Sequence, residues 1–88
     1  MLCLITYDLK LNRDYPKLDE AINRIGDCWH YLGSVCIVKS PYDPVEIAKY
    51  LKQYIDDDDS LLVVDISDQK RAGWLRQEAW DWFTSKNV

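Results

Sequence analysis

The run Leu2-Cys-Leu-Ile-Thr-Tyr-Asp-Leu9 is apolar, β-branched or aromatic on both of its alternating faces, and it ends at a carboxylate, Asp8. Such a run predicts a strand buried on two sides, not a half-exposed ribbon. A second run of the same character, Ser60-Leu-Leu-Val-Val-Asp-Ile66, sends Leu62, Val64 and Ile66 one way and Leu61 and Val63 the other. A sheet built from such strands needs cover on both faces. The rest of the chain, or a second copy of it, must supply that cover.

Between the two runs the elements alternate. Lys10-Leu-Asn-Arg-Asp14 reads as a loop, and Pro16 opens a helix, a position where its missing N–H costs nothing. Tyr15, Leu18, Ala21, Ile22 and Ile25 follow the helical period, with Glu20 and Arg24 paired at i, i+4 on the exposed side. Gly26 is expected to end this helix as a left-handed cap. Cys28-Trp-His-Tyr-Leu32 and Ser34-Val-Cys-Ile-Val-Lys39 predict a hairpin turning at Gly33. Asp43-Pro-Val-Glu46 is a capping box with proline in the first turn, opening a helix whose buried side is expected at Val45, Ala48, Leu51 and Ile55. The order is β-α-β-β-α-β, an α+β sandwich of the ferredoxin-like type. Beyond the connector Ser67-Asp-Gln-Lys-Arg-Ala-Gly73, residues 74–85 predict an added helix with Trp74, Leu75, Ala79, Trp82 and Phe83 on one side and Trp80 off that stripe. Residues 1–67 form the core and 68–88 the connector and Trp-rich helix of a single domain.

Two helices cover only one face of a four-stranded sheet, so the other face must meet the C-terminal segment, a second subunit, or both. That requirement predicts a homodimer. Nearly half of the 88 residues are apolar, and four Trp, six Tyr and one Phe supply surface for an interface as well as a core. A chain this short buries roughly 60–65% of its unfolded surface. Its stability falls on the order of 4–13 kcal/mol.

The formal charge is −4, from 15 carboxylates against 11 Lys and Arg. Phosphate neutralisation dominates affinity for nucleic acid, so wrapping of a duplex by a basic surface is excluded, while a local basic patch is not. Cys3, Cys28 and Cys36 are odd in number and widely spaced, and His30 is the one histidine. No CxxC pair marks a zinc site, and three reduced thiols fit a cytoplasmic protein. Asp8 arrives too early for a signal h-region, and no run approaches the ~20 apolar residues of a membrane span, so no membrane partner is expected. With three glycines in the chain, a P-loop cradle is excluded, and no Ser-His-Asp order or activated-cysteine motif is present.

Asp8 is the most informative polar residue. It reads either as a strand terminator that begins a turn or as a metal ligand. Magnesium usually takes one or two carboxylates plus waters and phosphate oxygens, and a two-fold axis would return the same carboxylate from the partner chain. Lys10 and Arg13 follow Asp8, and Lys70 and Arg71 lie in the connector. If the two clusters converge they offer phosphate contacts; otherwise they are scattered surface charges. His30 is a hydrogen-bonded structural histidine, or a proton shuttle or base-stacking neighbour. Asp56-Asp-Asp-Asp59 lacks the alternate spacing, glycine and closing glutamate of a calcium loop, and reads as a solvated helix end.

The pattern Leu4-Ile-Thr-Tyr-Asp-Leu9, followed by helix, glycine, paired strands, helix and strand, resembles the CRISPR-associated protein-two family and its VapD-type ribonuclease relatives. The Trp29-His-Tyr-Leu32 segment and the Gly73-Trp74 pair are similar to those of a set of short bacterial and phage proteins. The resemblance spans residues 1–67, plus the tail for the latter group. It implies a homodimer with Asp8 as the metal ligand, binding duplex DNA or cleaving RNA. The chain departs from that pattern in its acidity, its lack of a fifth strand for exchange, and its tryptophan helix.

Three functions follow. The first is a dimeric module that binds nucleic acid or a nucleotide with little or no catalysis. The second is a metal-dependent endoribonuclease that uses Asp8 from both subunits and Mg2+ as cofactor. The third is a non-enzymatic factor that binds a host or phage protein in defence or counter-defence.

Overall fold

The computed structural model describes residues 1–86. Its elements are β1 (Leu2–Asp8), a 3-10 turn (Asn12–Asp14), α1 (Tyr15–Asn23), β2 (Asp27–Leu32), β3 (Val35–Lys39), α2 (Pro44–Lys52), β4 (Ser60–Asp65) and α3 (Gln77–Ser85). The strands form one sheet in the order β2-β3-β1-β4, with every neighbouring pair antiparallel. The result is a small α+β fold with a four-stranded sheet and three helices.

The alternation along β1 divides the molecule. Cys3, Ile5 and Tyr7 face α1 and α2, where with Leu9 they join Leu18, Ala21, Ile22, Ile47 and Leu51 in the inner core. Leu61 and Val63 of β4 pack against that core from the same side. Leu2 faces the other way, into an outer core with Trp29, Ile37, Ala79 and Phe83. The C-terminal helix therefore lies on the face that α1 and α2 leave open, and the Trp29 indole N–H donates to the Ala79 carbonyl at 3.1 Å. Phe83 packs among Trp29, Trp80 and Trp82 at centroid separations of 5.7, 6.0 and 5.7 Å. Arg71 lies over the Phe83 ring at 4.7 Å and donates to the Ile66 carbonyl, closing the connector over this cluster.

Several local expectations change in the tertiary setting. The first helix ends in right-handed backbone at Arg24, and Gly26 is not a left-handed cap. Glycine is required there for space, because a Cβ would collide with the Lys39 carbonyl of β3. At the hairpin, Ser34 and not Gly33 takes the left-handed conformation (φ 55°). The capping box forms as expected, with Asp43 Oδ1 accepting from the Glu46 N–H at 2.9 Å and Glu46 accepting from the Asp43 N–H at 3.3 Å. The buried face of α2, however, runs through Ile47 and Leu51, and Val45 is exposed. Helix α3 starts at Gln77, not at residue 74. From β4 the connector must cross three strand spacings of ~4.8 Å to reach β2, and an extended residue covers about 3.3 Å against 1.5 Å in a helix. Leu75 reaches the outer core from this connector, while Trp74 is 99% exposed.

The tail covers the outer face unevenly. It buries Trp29 of β2 and Ile37 of β3, but on β4 Leu62 is 59% and Val64 41% exposed. Their partners across the ladder are Thr6 and Leu4, both half-buried.

Candidate functional site

Asp8 closes β1 opposite Ser60, with its carboxylate in solvent. Thr6, Tyr7, Asp8, Ser60, Leu61 and Leu62 line a shallow groove of ≈ 220 Å³ at this sheet end. Lys10 follows, and its backbone N–H donates to Asp59 Oδ1 at 2.8 Å. The Asp56 N–H takes the other Asp59 oxygen at 2.8 Å. These two donors hold the Asp59 carboxyl below its usual range. Carboxylate oxygens of Asp14, Asp56 and Asp59 lie within 4.8 Å of one another, so the four-aspartate run is partly an internal brace between the β1 exit and the β4 entry. Arg13 is exposed in the 3-10 turn. Acids therefore outnumber Lys10 and Arg13 at the Asp8 end.

Lys70 and Arg71 lie elsewhere. The antiparallel register sets Asp8 beside Ser60 and Cys3 beside Asp65, so the connector leaves from the opposite end of the sheet. At ~3.3 Å per residue the two ends are on the order of 17 Å apart. Within one chain the two basic pairs do not converge. Arg71 is occupied by Phe83 and Ile66, and Lys70 is exposed.

His30 sits in a different constellation, on the inner side of the sheet. Trp29 pairs with Ile37 and Leu32 with Val35, which leaves His30 and Tyr31 opposite the single residue Cys36 in a bulge. His30 Nδ1 is 3.1 Å from Cys36 Sγ, and Nε2 is 3.0 Å from Asn23 Oδ1 on α1. The Tyr7 hydroxyl donates to Asp19 Oδ1 at 2.7 Å and lies 3.3 Å from Cys36 Sγ. Cys36 is fully buried, Asp19 is half-buried and His30 is exposed, so the cluster opens at the histidine. Burial pushes the Cys36 thiol up to about 11, with the Tyr7 hydrogen bond opposing and Asp19 assisting. Burial likewise pushes Cys28 up to about 12 and raises the Tyr7 phenol. A thiol held protonated and covered in this way is not a nucleophile for a bulky substrate.

A cleft of ≈ 350 Å³ opens between α1 and α2, lined by Arg24, Ile25, Tyr42, Glu46, Ile47 and Tyr50. Arg24 is fixed there by Glu20 at 3.4 Å and by the hydroxyls of Tyr50 and Tyr54 at 3.3 and 3.2 Å. The Tyr54 hydroxyl, then the guanidinium, pull the Tyr50 phenol down.

Sequence reasoning found His30 but not the residues that surround it. Asp19, Asn23 and Cys36 carry no motif, and their nearness depends on a bulge that spacing does not announce. The 3.6 period offered one usable signal, since Asp19 and Asn23 fall on the same side of α1 at i, i+4. No family model matches the chain, and no curated protein matches it.

Proposed function

We propose that the chain is a homodimeric, non-enzymatic binding protein of ferredoxin-like fold that pairs through the open half of its outer sheet face and engages a basic protein surface. The strand order β2-β3-β1-β4 with antiparallel neighbours supports the ferredoxin-like reading. The pairing rests on one observation: α3 stops short of β4, leaving Leu62 and Val64 exposed beside Leu4 and Thr6. A second copy is the occupant best matched to such a strip, because a two-fold contact needs one self-complementary patch and β4 is an edge strand. The acidic end formed by Asp8, Asp14 and Asp56–Asp59, together with the net charge of −4, favours a basic protein partner over phosphate. A host or phage protein would fit that description.

Sedimentation equilibrium tests the pairing. The reduced wild-type chain should sediment at twice 10.4 kDa, and Leu62→Glu at 10.4 kDa with its circular dichroism unchanged. A wild-type chain that stays monomeric at high concentration overturns the reading.

The exposed position of Asp8, on the same face as the strip, favours a second reading like that of the CRISPR-associated protein-two family. A two-fold through the strip would draw two Asp8 carboxylates toward a shared Mg2+ and a nucleic acid or nucleotide. Low-salt mobility shifts with short RNA and DNA, and cleavage assays with Asp8→Asn, distinguish the two. Binding lost in salt, or cleavage lost in the variant, would favour this second reading.

A further inference from the structure

The cluster around His30 gathers three kinds of donor from three elements: a carboxylate from α1, an imidazole from the β2 bulge and a thiol from β3. Their donor atoms lie within 4.8 Å of one another. We propose that Asp19, His30 and Cys36 bind one divalent transition-metal ion of zinc-like chemistry through a carboxylate oxygen, Nδ1 and Sγ, with a fourth position left to water on the exposed histidine side.

The spacing is close to what such an ion demands. Tetrahedral zinc, with bonds of about 2.3 Å to sulfur and 2.0–2.2 Å to nitrogen and oxygen, sets its donors roughly 3.2–3.6 Å apart. Cys36 Sγ lies 3.1 Å from His30 Nδ1 and 4.0 Å from Asp19 Oδ1. Shifts of roughly half an ångström would complete that edge, a small adjustment for side chains one of which reaches solvent. Supporting contacts are already in place. Asn23 Oδ1 accepts the Nε2 proton, which leaves the Nδ1 lone pair directed at the cluster, as ligating histidines require. Tyr7 orients Asp19 through its hydroxyl.

Charge argues for the same occupant. A thiolate and a carboxylate together neutralise a dication, so loading leaves no net charge in a half-buried site; the thiol proton departs to solvent. One sulfur and one nitrogen among three donors select zinc-type ions over Mg2+ and Ca2+, which take oxygen. The order Cys36–His30–Asn23 also has the outline of a thiol nucleophile, its base and an orienting amide. Full burial of Cys36 denies a peptide or ester access to the sulfur, whereas an ion needs only the opening beside His30.

Metal titration of the chelator-stripped, reduced chain tests this. Co2+ should bind at one equivalent per chain with the near-ultraviolet sulfur-to-metal band of a thiolate ligand, and Zn2+ should displace it with release of protons. His30→Ala, a change at an exposed side chain, should keep its circular dichroism and lose about tenfold or more in affinity. Cys36→Ala should abolish the band, while Cys28→Ala and Asp8→Asn should retain it, separating this site from any ion held by Asp8. Absence of uptake overturns the proposal. So does uptake unchanged in His30→Ala, whichever way Cys36→Ala folds, or a band that disappears with Cys28.

Discussion

Asp59 joins two distant segments through one side chain, since its oxygens accept from the Lys10 and Asp56 backbone N–H groups. That arrangement makes its contribution pH-dependent with a definite sign. The folded carboxyl is held below its usual range, so its contribution is complete above the ordinary aspartate value of ~3.9 and is lost as pH falls below that through the folded value. Asp59→Ala should lower the urea midpoint at pH 7 and flatten part of the fall in stability below about pH 4. Urea titrations at pH 7, 4 and 3 read this directly; parallel curves for the two chains would count against the brace. The capping box at Asp43 and the Glu20–Arg24 pair were legible at this scale because each is a contact within one helical turn. The role of Gly26 was not, because the atom it must avoid belongs to Lys39, across the hairpin.

Among the elements, α3 depends most on a single anchor. Trp29 fills the outer core and holds the Ala79 carbonyl, and an ion pair between Lys86 and Asp27 adds a second tie at the helix end. Trp29→Ala should cost about 3–5 kcal/mol, the range for large-to-small aromatic changes in a core. Trp29→Phe keeps most of the ring contact and loses the indole hydrogen bond to a carbonyl that the helix itself still pairs, at about 0.5–1.5 kcal/mol. Urea unfolding measures both, and hydrogen exchange in residues 77–85 should quicken in each. A Trp29→Ala cost below about 1 kcal/mol would mean that α3 does not dock on this face. Ala79, Trp82 and Phe83 of the helix's apolar stripe could be read from its period, whereas Trp80, expected off that stripe, also packs against the outer core. The start of the helix could not be read, because Trp74 and Leu75 fit that period and yet lie in a connector stretched by the width of the sheet.

For the whole molecule, the three free thiols set an alkaline limit. Unfolded cysteines ionise near ~8.5, whereas Cys36 keeps its proton up to about 11 and Cys28 up to about 12, with Cys3 also raised, all chiefly through burial. Between those values the unfolded chain binds fewer protons than the folded one, so stability should fall as pH rises above about 8.5. Urea midpoints of the chelator-stripped, reduced chain from pH 7 to 11 should decline accordingly, and Cys28→Ala should shallow the decline. A midpoint level across that span would mean that the thiols are not shielded.

The order of the elements, the capped start of α2, the buried side of α1 and the apolar two-sidedness of β1 and β4 could all be read from the chain, because periodicity and capping act between residues a few positions apart. The half of the outer face that the tail leaves open, the distance separating Lys10 and Arg13 from Lys70 and Arg71, and the meeting of Asp19, His30 and Cys36 could not. Each is set by strand register and by a one-residue bulge that pair segments remote along the chain, and neither composition nor spacing encodes which of the available pairings packs best.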